Sequence, residues 1–205
     1  MIELLDVATP HGPARVHLHP APGAAGALLL GHGAGGTVTA RDLVAVTGAA
    51  LAAGVAVALV EQPYRVAGRK APAPAHQLDA AWTAVAAHLR DGPLAGLPLV
   101  TGGRSSGARV ACRTAAATGA VGVLCLAFPL RPPARRAGTA AKDRTDELEA
   151  VPAPVLVVQG ERDPFGLPVA GARREVVVVA GTHALTTDAA AVAAAVASWL
   201  PRVLS

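Results

Sequence analysis

The chain has 205 residues and a formal net charge of +4, and 52% of its residues are hydrophobic although only two Trp, one Tyr and two Phe are present. This length and composition suit one globular domain over residues 1–205 with a sizeable core, and they argue against a disordered chain. The arginines are scattered through loops with few aromatic neighbours, so nucleic acid is not an expected partner.

The first elements along the chain are two short strands, residues 2–7 and 14–19, which are expected to form an antiparallel hairpin. The run ALLL at 27–30 predicts a third strand, and a glycine-rich loop and a helix over 40–53 follow it. The run VAVALV at 55–60 predicts a fourth strand.

The apolar stretch 43–60 reaches the lower length of a membrane span, but Gly54 divides it into that helix and that strand. Thr37 or Thr39 is the expected cap of the helix. The opening segment MIELLDVATP has neither a basic region nor a long apolar core, so no signal peptide is expected. We therefore expect a cytoplasmic protein with no membrane partner.

A second helix is predicted over 76–90, after a loop rich in Pro and Arg. Leu78, Trp82, Val85 and Leu89 recur there at helical spacing, which indicates one apolar face directed to the core.

The next elements are a strand at 98–101, a helix over 106–117 and a strand at 121–128. Cys112 and Cys125 lie inside these apolar runs. Two cysteines are too few for a disulfide framework, so both are expected to be small buried side chains.

A basic, Pro-rich connection over 129–150 follows, with one short helix near 146–150. It is too short to form a cap domain. The chain ends with strands at 154–160 and 175–180 and a closing helix over 188–204.

The later strands are continuous β-branched runs, which is typical of strands buried on both faces of a parallel sheet. The order of elements predicts an α/β fold: a doubly wound, mostly parallel sheet with an N-terminal antiparallel hairpin and no large cap. Reactive groups are then expected at the carboxyl ends of the strands.

The segment GRSSG (103–107) fits the pattern G-x-S-x-G with Ser105 at its centre. It follows a predicted strand and opens a predicted helix, which is the context of a nucleophile elbow. Small residues are needed two positions before and after the serine, and Gly103 and Gly107 meet that need. A glycine-rich turn without a catalytic role is the alternative for this motif taken alone.

A serine hydroxyl needs an adjacent base to act as a nucleophile. His183, in GTHAL, is the only histidine after Ser105 and directly follows a predicted strand. Asp163, in GERDPFG, follows the preceding strand and is the candidate acid, with Glu161 as the alternative. The order Ser, Asp, His is the one expected for a triad in this architecture.

The loop GHGAGG (31–36) follows the third predicted strand. It predicts an oxyanion hole in which the Ala34 N–H acts together with the N–H of Ser106, with Gly33 or Gly35 as alternative donors.

The same loop also fits G-x-G-x-x-G, with Gly31, Gly33 and Gly36, and Glu61 could then bind a ribose. That alternative is an NAD(P)-binding oxidoreductase. It leaves Ser105, Asp163 and His183 unexplained.

The segments LLLGHGAGG, EQPYR, GGRSSGAR, LCLAFPLRPP and VLVVQGERDPFG resemble those of small α/β-hydrolases akin to dienelactone hydrolase. They are especially similar to the compact, lidless group that includes testis-expressed protein 30 and its bacterial relatives. The resemblance begins near residue 26. It implies Ser105 as nucleophile, Asp163 as acid, His183 as base, and a hydrolase fold without cofactor.

Three aromatic residues lie at predicted strand ends and are expected either to line a substrate pocket or to pack loops onto the sheet: Tyr64, Phe128 and Phe165. Cationic side chains follow the same strand ends. They predict a preference for anionic substrates, with solvated loop cations as the alternative. The cations are Arg65, Arg69, Lys70, Arg104, Arg131, Arg135 and Arg136.

Together these features predict a serine hydrolase for small esters that works through a Ser-His-Asp triad and an acyl-enzyme, with no metal. Expected substrate contacts come from Gly33, Gly35, Tyr64, Arg104, Phe128 and Phe165. A non-catalytic binding protein with a hydrolase fold is the alternative. The sequence does not distinguish a monomer from a homodimer.

Overall fold

The computed structural model describes residues 1–132 and 143–205. These residues form an eight-stranded sheet with helices on both faces. The strands are β1 (Glu3–Val7), β2 (Ala14–His19), β3 (Gly26–Gly31), β4 (Val55–Glu61), β5 (Leu99–Arg104), β6 (Gly122–Leu126), β7 (Val155–Gly160) and β8 (Arg174–Val179). The helices are α1 (Arg41–Ala52), α2 (Pro63–Val66), α3 (Ala75–Asp91), α4 (Ser106–Thr118), α5 (Thr145–Glu149) and α6 (Ala189–Leu204).

The strand order is β1-β2-β4-β3-β5-β6-β7-β8. β2 pairs antiparallel with β1 and with β4, and every other neighbouring pair is parallel. The predicted mostly parallel α/β sheet with an N-terminal antiparallel hairpin is therefore confirmed.

The strand order reverses at β3, which lies between β4 and β5. The chain leaves β3 toward β4 and then crosses back to β5 on the other side of β3. Gly31, the last residue of β3, is in register with Gly103 of β5. Open α/β sheets bind ligands at such a switch point, so the loops after β3 and β5 are brought side by side at the expected place.

Helices cover both faces of the sheet. On one face, α1 and α6 pack through Leu43, Val46 and Trp199 onto the sheet. On the other face, α3 and α4 contribute their apolar sides to a second cluster. Covering both faces removes the apolar strand side chains from water, which is the dominant favourable term in folding.

The predicted apolar face of α3 is confirmed, because Leu78, Trp82, Val85 and Leu89 are all buried. Its neighbour α2 was not predicted. Pro63 at its first turn is compatible with a helix start, since proline has no N–H to leave unpaired there.

The predicted threonine cap of α1 is wrong. α1 follows Ala40 and has no side-chain cap. Thr37 and Thr39 instead bond to each other through their hydroxyl groups, with an Oγ1–Oγ1 distance of 2.8 Å.

The apolar stretch 43–60 divides as expected, into α1 and β4, and Gly54 with φ of 72° lies in the turn between them. Across residues 1–132 and 143–205, no helix is both long and apolar enough to cross a bilayer.

The sequence predicts that β8 is buried on both faces, and this prediction is wrong. β8 lies at the edge of the sheet, and of its six residues only Val179 is fully buried. A run of β-branched residues does not reveal whether another strand or helix will cover it.

Candidate active site

Ser105 occupies a sharp turn between β5 and α4. β5 continues to Arg104, three residues past its predicted end, so Ser105 follows the strand directly. Its φ is 53° and its ψ is −106°, a conformation that is unfavourable for a residue with a Cβ. The Ser105 N–H donates to the Leu126 carbonyl at 2.8 Å and ties the turn to β6.

The glycines on either side of Ser105 are required by close packing. A Cβ on Gly103 or on Gly107 would collide with the backbone carbonyl of Gly31. The elbow therefore packs directly on the end of β3, and only glycine allows this approach.

The structure brings the three predicted residues Ser105, Asp163 and His183 together. His183 Nε2 lies 2.9 Å from Ser105 Oγ, and His183 Nδ1 lies 2.8 Å from Asp163 Oδ2. In the neutral tautomer that these partners favour, Nδ1–H donates to the carboxylate and Nε2 accepts the serine hydroxyl. The Asp163 side chain is fully buried, while 19% of the His183 side chain is exposed.

Asp163 is held by further donors. The Phe165 N–H donates to its Oδ1 at 2.9 Å, and Gln159 Nε2 donates to its Oδ2 at 2.8 Å. The alternative acid, Glu161, lies 3.7 Å from Arg162 in an exposed ion pair. Asp163 is therefore the carboxylate that orients the imidazole.

Gln159 was not identified from the sequence. It is fully buried in β7, its Oε1 accepts from the Phe128 N–H at 2.8 Å, and its Nε2 also faces the Phe128 carbonyl at 3.0 Å. The available signal was one amide within the apolar run VLVVQG, because a buried polar side chain must find partners.

The loop 31–36, here called the oxyanion loop, lies against the elbow. A Cβ built on Gly33 would be 3.8 Å from the Cβ of Ser105. Ser106 is the first residue of α4, so its N–H has no partner within the helix. The two predicted sources of oxyanion donors are thus neighbours.

Two side chains hold the carbonyl groups of the oxyanion loop. His32 Nδ1 lies 2.8 Å from the Gly33 carbonyl, and the Tyr64 hydroxyl donates to the Ala34 carbonyl at 2.7 Å. A trans peptide directs its C=O and N–H in opposite directions. Each contact therefore also fixes the following N–H, that of Ala34 and that of Gly35.

His32 is buried, with 3% of its surface exposed. Its Nε2 accepts from the Gln62 N–H at 3.2 Å, so Nδ1 carries the proton that is donated to Gly33. Burial is the main cause that lowers the pKa of His32, against the opposing effect of its hydrogen bond to the Gly33 carbonyl. The ring stays neutral and serves as a support for the loop.

Tyr64 and Phe128 depart from their predicted role as pocket walls. Tyr64 is 5% exposed and supports the oxyanion loop. Phe128 is fully buried in the apolar cluster to which α3 and α4 contribute. β6 ends at Leu126 and Ala127 has a φ of 49°, so the chain turns before Phe128.

Phe165 and Arg104 both contact His183. The Phe165 ring is tilted against the His183 ring with 4.4 Å between centroids, and it is partly exposed. The Arg104 side chain is directed to Asp42, whose Oδ2 lies 2.9 Å from the guanidinium Nε. The guanidinium is therefore paired within the protein, and the contact of Arg104 with substrate stays a prediction.

Of the other predicted cations, some have partners within the protein and two are not described by the structure. Arg131 is paired with Asp143 at 2.7 Å, and Arg65 donates to the Arg69 carbonyl at 3.3 Å. The predicted contributors Arg135 and Arg136 lie outside the described residues.

The geometry of the oxyanion loop does not support the dinucleotide alternative. The Gly36 N–H donates to the Gly33 carbonyl and closes a turn, and α1 begins only at Arg41. Glu61, the expected ribose ligand, instead contacts His17, with 2.6 Å between Glu61 Oε1 and His17 Nε2.

No cluster of His, Cys, Asp and Glu side chains suited to a metal ion occurs within 1–132 and 143–205. Cys112 and Cys125 are buried free thiols, as predicted, with their sulfur atoms 3.4 Å apart.

A model of the alpha/beta hydrolase domain matches residues 24–187, most of the chain. The chain belongs to the alpha/beta hydrolase family. This assignment confirms the broad resemblance read from the sequence, and the narrower likeness to testis-expressed protein 30 stays a prediction. The search of curated proteins found no match to this alpha/beta hydrolase.

Solved structures of other proteins share its fold. A serine hydrolase without a lid from Xanthomonas campestris is 20% identical with a TM-score of 0.73, over 98% of this chain and 94% of that one. Est1E from Butyrivibrio proteoclasticus is 15% identical with a TM-score of 0.75, over 98% of each chain. Dienelactone hydrolase from Anabaena variabilis is 19% identical with a TM-score of 0.78, over 98% and 97%. At these identities the likeness shows the fold of this alpha/beta hydrolase.

Proposed function

We propose that this alpha/beta hydrolase is a serine esterase that cleaves small esters through an acyl-enzyme, with Ser105 as the nucleophile. The observation that carries the proposal is the hydrogen-bonded chain from Ser105 through His183 to Asp163, with contacts of 2.9 Å and 2.8 Å. The serine hydrolase and the dienelactone hydrolase of similar fold support the reaction class.

In the acylation step, Ser105 Oγ attacks the ester carbonyl carbon while His183 Nε2 takes the hydroxyl proton. Asp163 keeps the ring oriented and stabilises the imidazolium. The N–H groups of Ala34 and Ser106 stabilise the oxyanion of the tetrahedral intermediate. The intermediate then breaks its bond to the alcohol oxygen, which leaves with the proton from His183.

In the deacylation step, water takes the place of the alcohol. His183 removes a proton from the water, whose oxygen attacks the acyl carbon. The second intermediate breaks its bond to Ser105 Oγ, and His183 returns the proton to the serine. The products are a carboxylic acid and the free enzyme.

The proposed substrates are small. Within the connection between β6 and β7, Arg131 and Asp143 form an ion pair with a distance of 2.7 Å. Too few residues lie between these two positions to form a cap domain. Substrate charge has a minor proposed role, because Arg104 and Arg131 each face a carboxylate. Within residues 1–132 and 143–205, the predicted cations that remain as a basis for anion preference are Arg65, Arg69 and Lys70.

The proposal is tested by labelling with a fluorophosphonate and by hydrolysis of p-nitrophenyl acetate, butyrate and octanoate. We expect the wild type to label and to prefer the short esters, and Ser105→Ala to do neither. Ser198→Ala is the matched control, because Ser198 is an exposed serine on α6. Failure of the wild type to label would favour a non-catalytic binding protein.

Substrate charge is tested by comparing a neutral ester with a dicarboxylic acid monoester at low and high salt. Screening by salt weakens steering by exposed charges. We expect the salt dependence of kcat/KM for the two esters to differ by less than about threefold. A large salt-sensitive advantage of the anionic ester would restore the cationic rim as a specificity element.

A further inference from the structure

Arg104 precedes the proposed nucleophile and contacts three other elements of the site. Its Nη2 donates to the backbone carbonyl of His183 at 3.1 Å, and its Nε lies 2.9 Å from Asp42 Oδ2. A Cβ built on Gly33 would be 3.0 Å from Arg104 Nη1, so the guanidinium also lies against the oxyanion loop. One planar group therefore joins the elbow, the base and the oxyanion loop.

Asp42 anchors this group to the scaffold. It lies in the first turn of α1 and is 1% exposed, and its Oδ1 accepts from the Leu43 N–H at 2.9 Å. The contact of its Oδ2 with Arg104 is an ion pair whose N–H is not aligned as a hydrogen bond. Burial raises the pKa of Asp42, and the charge of Arg104 opposes that rise and favours the carboxylate.

We propose that the Arg104–Asp42 pair is a positioning unit that holds the His183 backbone at the distance the imidazole needs to reach Ser105. The inference rests on the proposed esterase function for its effect on rate. Arg104 does not touch the reacting atoms and acts through His183.

The chemistry of the guanidinium favours this role over substrate recognition. Its charge already faces a buried carboxylate, and a second donor is used on the His183 carbonyl. A planar group with donors in fixed directions can make both contacts at once, whereas a lysine ammonium on a flexible stem reaches one well. Displacing a catalytic group by about 1 Å can cost about 100-fold in rate, so a small shift of the loop matters.

The test compares Arg104→Met, Arg104→Lys and a matched control, Arg109→Met. Arg109 is on α4, and its side chain is 22% exposed against 19% for Arg104. It is also paired with a carboxylate, but its two guanidinium hydrogen bonds go to Glu147 and not to the His183 loop. Arg104→Met/Asp42→Asn removes both charges, which avoids an unpaired buried carboxylate if the single variant fails to fold.

With a neutral ester, we expect Arg104→Met and the double variant to lower kcat about 30- to 100-fold with KM changed less than about threefold. Arg104→Lys should recover part of kcat, and Arg109→Met should stay within about threefold of wild type. Equal kcat losses in Arg104→Met and Arg109→Met would overturn the inference. So would an unchanged kcat with a raised KM for an anionic ester alone, since that is the result of substrate binding.

Hydrogen exchange tests the positioning unit without any activity. We expect the amides of residues 181–187 to exchange at least about tenfold faster in Arg104→Met and in the double variant than in wild type or Arg109→Met. Unchanged exchange there would overturn the inference even in an active esterase. If wild type hydrolyses no ester but shows this exchange pattern, the esterase proposal fails and the positioning of the His183 loop stands.

Discussion

Two imidazoles lie at the same edge of the sheet, and their surroundings differ in kind. His32, after β3, has backbone partners at both ring nitrogens, the Gly33 carbonyl and the Gln62 N–H. His183, after β8, has side-chain partners, the Asp163 carboxylate and the Ser105 hydroxyl. One ring is 3% exposed, and the other has 19% of its side chain exposed.

The difference teaches that partner chemistry separates a supporting histidine from a proton-transfer histidine. The two ring nitrogens of His32 bond to backbone groups, so they have no titratable hydrogen-bond partner with which to exchange a proton. A ring between a carboxylate and a hydroxyl can take a proton at Nε2 while its charge is stabilised at Nδ1. Position at a strand end is shared by both rings and does not separate them.

The largest expected effect separates the two rings by activity. His183→Gln should lower kcat about 10³- to 10⁴-fold or more, because it removes the proposed general base. His32→Gln should retain far more activity, within about 30-fold of wild type, because the loop loses a support and the base remains. Steady-state kinetics with p-nitrophenyl acetate on both variants, each shown to be folded by circular dichroism, checks this.

Comparable losses in the two variants would contradict the division of roles. A His183→Gln protein with more than a tenth of wild-type kcat would show that another group serves as the base.

Part of the site was predictable because parallel strands place their carboxyl ends along one edge. Ser105, Asp163 and His183 each follow such a strand, so chain order and motif spacing predicted a convergence that the structure displays. The glycines of the elbow were predictable for the same local reason, since backbone packing there excludes a Cβ.

The contacts that support the site were not predictable, because they join residues far apart in sequence. No pattern near Arg104 indicates that Asp42 neutralises it, and none near Gln159 indicates its bond to Asp163. Phe128 was misassigned since hydropathy does not reveal the positive φ of Ala127 that precedes its burial. The exposure of β8 was missed because strand order, not composition, makes it an edge.

A smaller effect is expected from the second support of the oxyanion loop. Tyr64→Phe keeps the buried ring and removes only the hydroxyl that donates to the Ala34 carbonyl at 2.7 Å. We expect kcat to fall about 20-fold with little change in KM, less than the 100-fold or more typical of deleting an oxyanion donor outright. A boronic acid inhibitor, which mimics the tetrahedral intermediate, should bind more weakly by a similar factor.

A loss below twofold in both measurements would show that the loop keeps its geometry without Tyr64. The support would then rest on His32 and on the turn between Gly33 and Gly36.

The smallest expected effect is on stability and uses the buried, neutral state of His32. Its pKa is lowered in the folded protein, chiefly by burial, while in the unfolded chain it is near 6.5. Below about pH 6.5 the unfolded chain therefore binds a proton that the folded protein excludes, and the free energy of unfolding falls as pH falls. Above that pH this residue adds no pH dependence.

Urea unfolding at pH 8 and pH 5.5 checks this for wild type, His32→Gln and His19→Gln. The contribution of one excluded proton at pH 5.5 is at most about tenfold in the unfolding equilibrium constant. We expect His32→Gln to lose less stability on acidification than wild type. His19→Gln is the comparison, because burial also lowers the pKa of that ring and gives an effect of the same sign. An equal acid sensitivity in wild type and His32→Gln would mean that His32 takes up its proton in the folded state, and its assignment as a neutral support would be wrong.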